Sequence, residues 1–374
     1  MDGKIERHYE LAILGGGIAG LGAAHEAAKR GYRAVVLERG AFCGATSSNS
    51  LRIIHGGFRY LQSLNFPRVL QSMQDQLELC RWAPHLVKPI KCVLTLDRFG
   101  LKSPLPVALA AWLYGGLKRL RPGLAGENRV ISAAEVAKEI PLLAGAAPNG
   151  ALLWTDALLN DLHKFHDFIC GRLTALGVQL VDQCAVTAVR RQPEDFVVEC
   201  RRGGEPHNIS ARYVINTLGP WINSLEKQGL VPGRTPFWCK AYNLVIKKQL
   251  DAQYILGRAS SKGRLFFAVP RGSASALGTW YVPLKEPLAE AAVHKDDLVD
   301  FVAALNQTFP KAALNFSEIE HVDLGVLPCH SNHAEPKLLG SEVITADRGY
   351  VEVLSTKYTT FLSQGRKAVQ ALKV

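Results

Sequence analysis

Two short apolar runs, separated by a longer alanine-rich stretch, open the chain. Residues 11–14 form the first run, which ends in three glycines as a buried parallel strand does. The stretch Ile18–Lys29 has helical spacing, and Gly31 is placed to end the helix. The second run, Ala34–Leu37, ends at Glu38. The pattern therefore predicts a β-α-β unit.

Farther along, the apolar spacing changes between helical and strand-like. Helical spacing is found at residues 66–86, 156–177 and 297–308. Strand patterns cover residues 178–221, with a polar turn at Gly203-Gly204, and three further segments: Val87–Val107, Pro236–Val282 and Glu318–Leu327. The order of elements predicts an α/β fold in which a doubly wound, Rossmann-like domain is interleaved with a strand-rich antiparallel domain.

Composition and charge narrow the classes of partner. The 374 residues are 48% apolar and 21% charged, the balance of a globular protein long enough for two domains. The net charge is +11, but the positive residues are scattered and the densest cluster is Lys118–Arg121. We therefore expect an anionic small molecule or a membrane surface, rather than nucleic acid, as the partner of this basic chain.

Cysteine spacing and the apolar stretches bear on cellular location. The eight cysteines are irregularly spaced without a C-x-x-C pair, which predicts neither a disulfide framework nor a metal site and favours a reducing cytoplasm. The N-terminal segment lacks the apolar core of a secretory signal. The longest apolar stretch, Leu105–Leu117, is shorter than the ~20 residues that span a bilayer.

A glycine fingerprint, Gly15-x-Gly17-x-x-Gly20, lies between the predicted first strand and helix. Its glycines allow a tight turn, the close approach of a pyrophosphate and packing of the helix on the strand. Free N–H groups at the helix N-terminus attract the anion. Glu38, at the end of the second strand, is placed to accept hydrogen bonds from a ribose. Together these features predict a dinucleotide site.

The fingerprint chemistry alone does not distinguish FAD from NAD. Two features of the sequence favour FAD: the fingerprint opens the chain, and no second copy is found for a nicotinamide dinucleotide. A flavoenzyme that passes electrons from its substrate to NAD would commonly need both copies.

The segment Ala45–Gln62, ATSSNSLRIIHGGFRYLQ, combines hydroxyls, two arginines, a histidine and paired glycines in a mixture that no helix or strand pattern requires. With the fingerprint, it resembles FAD-dependent glycerol-3-phosphate dehydrogenase, a family of the D-amino-acid-oxidase-like (DAO) flavoproteins. The motifs that carry the resemblance span nearly the whole chain: ATSS (Ala45–Ser48), IHGGFRYL (Ile54–Leu61), APHL (Ala83–Leu86), GPW (Gly219–Trp221), GTWYVPL (Gly278–Leu284) and STKYTT (Ser355–Thr360).

The resemblance implies an FAD-dependent oxidoreductase that removes a hydride from a small C–OH or C–NH substrate and passes electrons to quinone or oxygen. Its FAD-binding domain would comprise residues 1–86, 150–222 and 340–374, and its substrate domain residues 87–149 and 223–339. The residues that match the family's cofactor contacts are Gly15, Gly17, Gly20, Glu38, Arg39, Thr46, Ser47, Ser48, Arg52, Gly56, Gly57, Val186, Gly219, Tyr358 and Thr359.

Three residues match catalytic positions of the family. His55 would take the hydroxyl proton of the substrate, a task that suits neutral imidazole. The guanidinium of Arg59 would contact an anionic group, and Lys357 would place a cation at the pyrimidine edge of the flavin. Further substrate contacts are expected at Tyr60, Tyr242 and Trp280.

The sequence departs from the family pattern at positions that would contact the substrate. The arginine of a GVRP motif is Leu327, a second arginine is Leu362, and the region Lys240–Asn243 lacks the family's histidine. These changes predict that FAD binding is retained while substrate specificity is altered. The alternatives are an amine or amino-acid oxidase of the DAO type and a catalytically degenerate FAD-binding protein.

One apolar segment suggests contact with a membrane. Residues 110–122, AAWLYGGLKRLRP, could lie on a membrane surface, with Trp112 and Tyr114 at the interface and the basic residues on lipid headgroups. The alternative is a core helix of the substrate domain. We therefore expect a cytoplasmic protein, peripheral at the inner face of the membrane if the first interpretation holds.

Overall fold

The computed structural model describes residues 5–58, 65–119, 126–230, 236–331 and 333–373. Two β-sheets carry the fold. The first sheet has the strand order β11-β8-β9-β10-β1-β2-β7. Strands β10, β1, β2 and β7 are parallel to one another, whereas β9 is antiparallel to both β8 and β10. Strand β18 pairs in parallel with the end of β10, and β17 pairs with β18. Its strands are β1 His8–Leu14, β2 Ala34–Leu37, β7 Gln179–Val181, β8 Cys184–Arg191, β9 Phe196–Arg202, β10 Glu205–Asn216, β11 Glu226–Gln228, β17 Val343–Asp347 and β18 Tyr350–Leu354.

The second sheet is mostly antiparallel. Its order is β16-β12-β15-β14-β13-β4-β6-β3, and β5 pairs with β6. Among its named strands, β13 and β4 form a parallel pair. The strands are β3 Ile53–Ile54, β4 Val87–Thr95, β5 Asn128–Ile131, β6 Ala151–Leu159, β12 Phe237–Ile246, β13 Tyr254–Ala259, β14 Leu265–Arg271, β15 Ala274–Pro283 and β16 Ile319–Cys329. A Rossmann-like sheet joined to an antiparallel sheet confirms the predicted fold class.

Helices cover both sheets. They are α1 Ile18–Lys29, α2 Phe66–Trp82, α3 Pro104–Arg119, α4 Ala133–Glu139, α5 Leu162–Ala175, α6 Lys295–Thr308 and α7 Phe361–Ala371. The predicted β-α-β unit is confirmed by β1, α1 and β2. The prediction of strand throughout Val87–Val107 is wrong, because the chain leaves the sheet after Thr95 and α3 begins at Pro104. A proline fits the first turn of a helix, where its missing N–H costs no hydrogen bond.

Sheet membership divides the chain differently from the predicted domain boundaries at three strands. Strands β3 and β6 belong to the second sheet, although both were assigned to the FAD-binding domain from the sequence. Strand β11 pairs in parallel with β8 and so belongs to the first sheet. The apolar pattern of a strand does not indicate which of two sheets it joins, since that depends on its partner strand.

Four buried apolar clusters hold these layers together. One lies between the first sheet and α1, α5 and α7, and another covers the opposite face of that sheet. The second sheet packs on α4 and α6 through one face and on α2 and α3 through the other. Both sheets are therefore covered on two sides, and the groove between them is left for a ligand.

Helices α1 and α7 cross at two glycines. A Cβ atom added to Gly22 would lie 2.3 Å from the carbonyl oxygen of Phe361, and one added to Gly365 would lie 2.3 Å from the carbonyl oxygen of Gly22. This contact fixes α7, and with it the preceding loop, against the helix that begins with the glycine fingerprint.

We predict that Gly22→Ala lowers the free energy of unfolding by about 1–3 kcal/mol, because the added methyl group has no room against α7. Equilibrium unfolding in urea measures the change. Gly171→Ala is the matched control: its Cβ would meet nothing within 4 Å, so the change should leave stability equal or raise it by about 0.5–1 kcal/mol. Equal stability of the two variants would contradict the close crossing.

Candidate functional site

A cavity runs between the fingerprint end of the first sheet and one wall of the second sheet. Its first end is lined by the start of α1, by Glu38 and Arg39, and by the turn Leu218–Trp221. Its far end is lined by residues 353–358 and by strands β12, β15 and β16. An elongated ligand with different chemistry at its two ends would fit this arrangement.

The fingerprint glycines shape the first end. Gly15 adopts a left-handed backbone with φ of +96°, and a Cβ atom on Gly20 would lie 2.0 Å from the carbonyl oxygen of Gly15. The turn therefore needs glycine at both places. Gly17 is the N-cap of α1 and has no side chain that could cap the helix, so the first helical turn, at Ile18 and Ala19, borders the cavity with its backbone. This donor set fits a pyrophosphate.

Glu38 and Arg39 close the same end. The carboxylate of Glu38 accepts hydrogen bonds from the backbone N–H groups of Gly16, at 2.7 Å, and Gly40, at 2.8 Å. Each oxygen keeps a second lone pair for a ribose hydroxyl. The guanidinium of Arg39 stacks over the ring of Trp221, 3.8 Å from its centre, a short contact of the cation–π kind.

The hydroxyl segment Thr46–Ser48 connects the fingerprint to the second sheet. Ser47 Oγ accepts from the N–H of Ile18 at 3.0 Å, and Thr46 Oγ1 accepts from the N–H of Val326 on β16 at 3.0 Å. Ser48 Oγ instead donates to the carbonyl of Cys43, and its side chain is not part of the described lining. Thr46 and Ser47 line the cavity while they join its two walls.

The loop after β18 forms the far end. Lys357 and Tyr358 line the cavity there, as predicted for the family's flavin loop, whereas Thr359 lies outside the described lining. The Tyr358 hydroxyl is 2.9 Å from Nε2 of His166, and burial raises the pKa of Tyr358 well above its usual value. Burial and the charges of His163 and Arg52 lower the pKa of His166 to about 4. Both groups are therefore neutral at pH 7.

The wall contributed by the second sheet is uncharged. Its described lining residues are Trp238, Ala241, Asn243, Thr279, Tyr281, Val326, Leu327 and Pro328, and none of these has a charged side chain. Two of its polar side chains bind each other, since Thr279 Oγ1 donates to Asn243 Oδ1 at 2.9 Å. Leu327 faces the cavity at the position where the family pattern has an arginine.

His55 lies at the end of β3, beyond the described lining of the cavity. Its Nδ1 atom is 3.4 Å from Oδ2 of the buried Asp156 on β6. The glycines that follow His55 pack inside the protein: a Cβ atom on Gly56 would lie 2.2 Å from the Tyr114 hydroxyl, and one on Gly57 would lie 2.8 Å from Ser72 Cβ. The paired glycines thus allow close packing of α2 and α3.

Asp156 is a functional candidate that the sequence reasoning missed. Burial by itself raises the pKa of this carboxyl, but the hydrogen bond and charge of His55, the charge of Lys118 and the N–H of Trp154 hold the pKa below its usual value. The sequence offers one signal for it: Asp156 is the single charged residue of the mostly apolar strand ALLWTDALL.

Other predicted site residues lie apart from the cavity. Tyr242 is buried in the core on the α6 side of the second sheet, where its hydroxyl donates to Asp297 at 2.8 Å, and Trp280 stacks with Phe301 in the same core. Val186 is on β8, outside the described lining. Arg52 is half-buried and donates to the carbonyl of Asn160 at 3.3 Å.

The predicted anion and substrate contacts Arg59 and Tyr60 lie outside the described residues. The predicted cofactor contact Gly219, by contrast, lines the cavity in the turn beside Trp221.

Comparisons with known proteins agree with this geometry. A family model described as DAO, FAD dependent oxidoreductase, matches residues 10–351. An alpha-glycerophosphate oxidase of Enterococcus casseliflavus is 28% identical over 87% of this chain, and an aerobic glycerol-3-phosphate dehydrogenase of Bacillus subtilis is 23% identical over 98%. The chain spans 55% of the first protein's length and 67% of the second's.

Two solved structures share the fold. A glycerol-3-phosphate dehydrogenase from Bacillus halodurans, complexed with FAD, has a TM-score of 0.74 at 19% identity. The match covers 98% of this chain and 64% of that chain. A glycine oxidase from Geobacillus kaustophilus has a TM-score of 0.72 at 16% identity, with 98% of this chain and 95% of that chain covered.

The burial of His166 predicts a pH effect on stability. Because the pKa of His166 falls from 6.5 to about 4 on folding, the unfolded chain binds the extra proton between these values, and stability decreases as pH falls. His166→Gln should remove about 2 kcal/mol of the stability lost between pH 7 and pH 5.

Urea unfolding at both pH values, compared with the wild type, measures this difference. His163→Gln on the same helix is the control, because the side chain of His163 is exposed and its removal should leave most of the acid sensitivity in place. An unchanged acid loss in His166→Gln would refute the assignment.

Proposed function

The chain belongs to the DAO family of FAD-dependent oxidoreductases. We propose that its cavity binds FAD and that the protein oxidises a small donor at a C–OH or C–NH bond. Family membership confirms the resemblance seen in the sequence. The activity we propose is glycerol-3-phosphate-dehydrogenase-like, with altered substrate specificity. The observation that carries the altered specificity is the uncharged wall around Leu327.

The residues of the first end would hold the nucleotide half of FAD. The N-terminal amides of α1 would bind the pyrophosphate, and Glu38 would accept from a ribose hydroxyl. At the far end, Lys357 and Tyr358 would contact the flavin. When bound, the flavin would supply the two-electron acceptor for the hydride of the substrate carbon. His55 would take the hydroxyl proton of an alcohol donor.

The chemistry of the wall bears on the donor. A phosphate ester brings about two negative charges, and a guanidinium fork is the side chain best suited to bind it. Among the described residues, the wall of the second sheet offers Leu327 and its neutral neighbours instead. We therefore propose a donor that is uncharged where it meets this wall.

The same wall favours an amine donor as the second candidate. Hydride transfer from an amine requires the neutral form, and apolar surroundings disfavour the ammonium ion. An amino acid would also need a cation for its carboxylate, and Lys357 is the lining cation at the far end of the cavity that could supply it. In the third candidate, a degenerate FAD-binding protein, FAD would bind but no donor would reduce it.

We predict that Leu327→Arg raises the efficiency with which glycerol 3-phosphate reduces the bound flavin by about 10- to 100-fold. The reason is that a charge-assisted guanidinium–phosphate contact contributes about 1.5–3 kcal/mol. The measurement is anaerobic flavin bleaching as a function of donor concentration, with glycerol, a primary amine and an amino acid tested alongside glycerol 3-phosphate.

Leu327→Gln is the matched control, since it adds polarity and length without charge. Efficient reduction of the wild type by glycerol 3-phosphate, with no gain in Leu327→Arg, would show that another cation binds the phosphate. Bleaching by glycerol or the amine, and not by glycerol 3-phosphate, is the result that the uncharged wall predicts.

The proposed location is cytoplasmic, and the proposed electron acceptor is quinone or oxygen. All eight cysteines are free in the structure, including pairs on adjacent strands, which suits a reducing compartment. Among the described residues, no helix is long and apolar enough to cross a bilayer. We propose that a quinone acceptor is met at the membrane surface.

Helix α3 offers a surface for that contact. Its inner face packs into the core through Val107, Ala111 and Tyr114, while an apolar stripe faces outward. Leu105 is 84% exposed and Trp112 is 72% exposed. Leu101, Leu109 and Leu113 extend the exposed stripe, and the basic residues Arg98, Lys102 and Arg119 lie at its two ends. Apolar side chains edged by cations fit an anionic lipid surface.

We predict that the protein sediments with vesicles that contain an anionic phosphatidylglycerol fraction, at low salt, and that Trp112→Ser weakens this binding about 10-fold. A buried large apolar side chain contributes about 1.5–3 kcal/mol. Leu176→Ser, which removes another exposed apolar residue far from α3 in sequence, is the control and should bind as the wild type does. Protein that stays in the supernatant would contradict the membrane proposal.

A further inference from the structure

Asp156 is enclosed by donors from three elements. Its Oδ1 accepts from the backbone N–H of Gly56 at 2.9 Å and from Nε2 of Gln76 at 3.1 Å. Its Oδ2 accepts from Nε1 of Trp154 at 2.8 Å and lies 3.4 Å from Nδ1 of His55. The side chain is 1% exposed. Gly56, Gln76 and Trp154 therefore each donate a hydrogen bond to this carboxyl group.

The negative charge of Asp156 decides which ring nitrogen of a neutral His55 carries the proton. Its pKa is held below the usual value, so the group is a carboxylate at neutral pH and can only accept hydrogen bonds. A neutral imidazole beside it must therefore carry its proton on Nδ1. The lone pair is then left on Nε2, on the side of the ring away from Asp156.

We propose that Asp156 is a positioning residue that fixes His55 in the Nδ1-protonated tautomer and leaves Nε2 to accept the substrate proton. This inference rests on the proposed function, since it gives His55 the role of base. In the proton transfer, the O–H bond of the donor breaks and an Nε2–H bond forms. The imidazole becomes an imidazolium, whose charge the Asp156 carboxylate offsets.

His55 is placed for such a role by its surroundings. Its side chain is 36% exposed, in contrast to Asp156, so the ring connects a buried anion to an open face. The neighbouring Phe267, with ring centres 5.9 Å apart, limits the ring on one side. Phe267 pairs with Gly278, the residue before the cavity-lining Thr279. His55 therefore lies beside β14, the strand that pairs with the cavity-lining strand β15.

A purely structural role for Asp156 makes a different prediction. The carboxylate also satisfies Gly56 and offsets the buried Lys118, whose Nζ donates to the carbonyl of Thr155. If these contacts were the only role of Asp156, every variant that removes one of its hydrogen bonds would lower stability to a similar extent. None of these variants would change the His55 tautomer. The tautomer therefore separates the two roles.

The test compares Asp156→Asn with Trp154→Phe in the FAD-loaded protein. Asp156→Asn removes the charge and presents an amide that can donate to Nδ1, whereas Trp154→Phe removes one hydrogen bond to Oδ2 and leaves the carboxylate beside His55. The first readout is the His55 tautomer, from ¹⁵N NMR of histidine-labelled protein, with the signal assigned by its loss in His55→Gln.

We expect Nδ1-protonated His55 in the wild type and in Trp154→Phe, and the Nε2-protonated form in Asp156→Asn. The rate of flavin reduction by the donor that bleaches the wild type most efficiently should fall about 10²- to 10⁴-fold in Asp156→Asn, with a smaller change in KM. In Trp154→Phe it should fall less than about 10-fold.

Two results would overturn the proposal. One is an Nε2-protonated His55 in the wild type, which needs no variant to fold. The other is an unchanged tautomer or rate in Asp156→Asn. If no donor reduces the wild type, the proposed function fails, but the tautomer measurement still decides whether Asp156 positions His55.

Discussion

The junction made by Thr46 and Ser47 is the constraint on which the site depends. The hydroxyl of Ser47 accepts a hydrogen bond from the first N–H of α1, and the hydroxyl of the adjacent Thr46 accepts one from a backbone N–H of β16. One short segment thereby fixes the fingerprint end of the first sheet relative to the wall of the second. Because FAD has to reach from the helix terminus to the second sheet, its two halves can be bound together only while this junction holds the spacing.

The two ends of the cavity are built from different kinds of chemical group. The nucleotide end is built from backbone amides and the carboxylate of Glu38, and it keeps the family's residues. The wall of the second sheet is built from side chains, and it has lost the arginine expected at Leu327. A backbone site tolerates changes elsewhere in the chain, while a side-chain site changes with each substitution. Cofactor binding and donor specificity can therefore diverge in one fold.

The parts of the fold that could be predicted are those encoded locally. The bounds of α1 and β2 followed from apolar spacing, and Glu38 followed from its place at a strand end. Asp156 could not be found in that way, because its partner Gly56 is 100 residues distant and meets it only through the pairing of β3 with β6. Tyr242 was expected near the substrate, but strand alternation turns its side chain toward α6. Such choices of face depend on tertiary packing, which overrides local pattern.

The measurement that tests the central claim most directly is a titration of the purified, FAD-depleted chain with FAD, followed by quenching of flavin fluorescence. The account predicts saturable binding of one FAD per chain, because one cavity joins the fingerprint to the loop at Lys357 and Tyr358. Absence of saturable binding, with the protein folded by circular dichroism, would contradict the account, since neither the donor specificity nor the role of His55 has meaning without the bound cofactor.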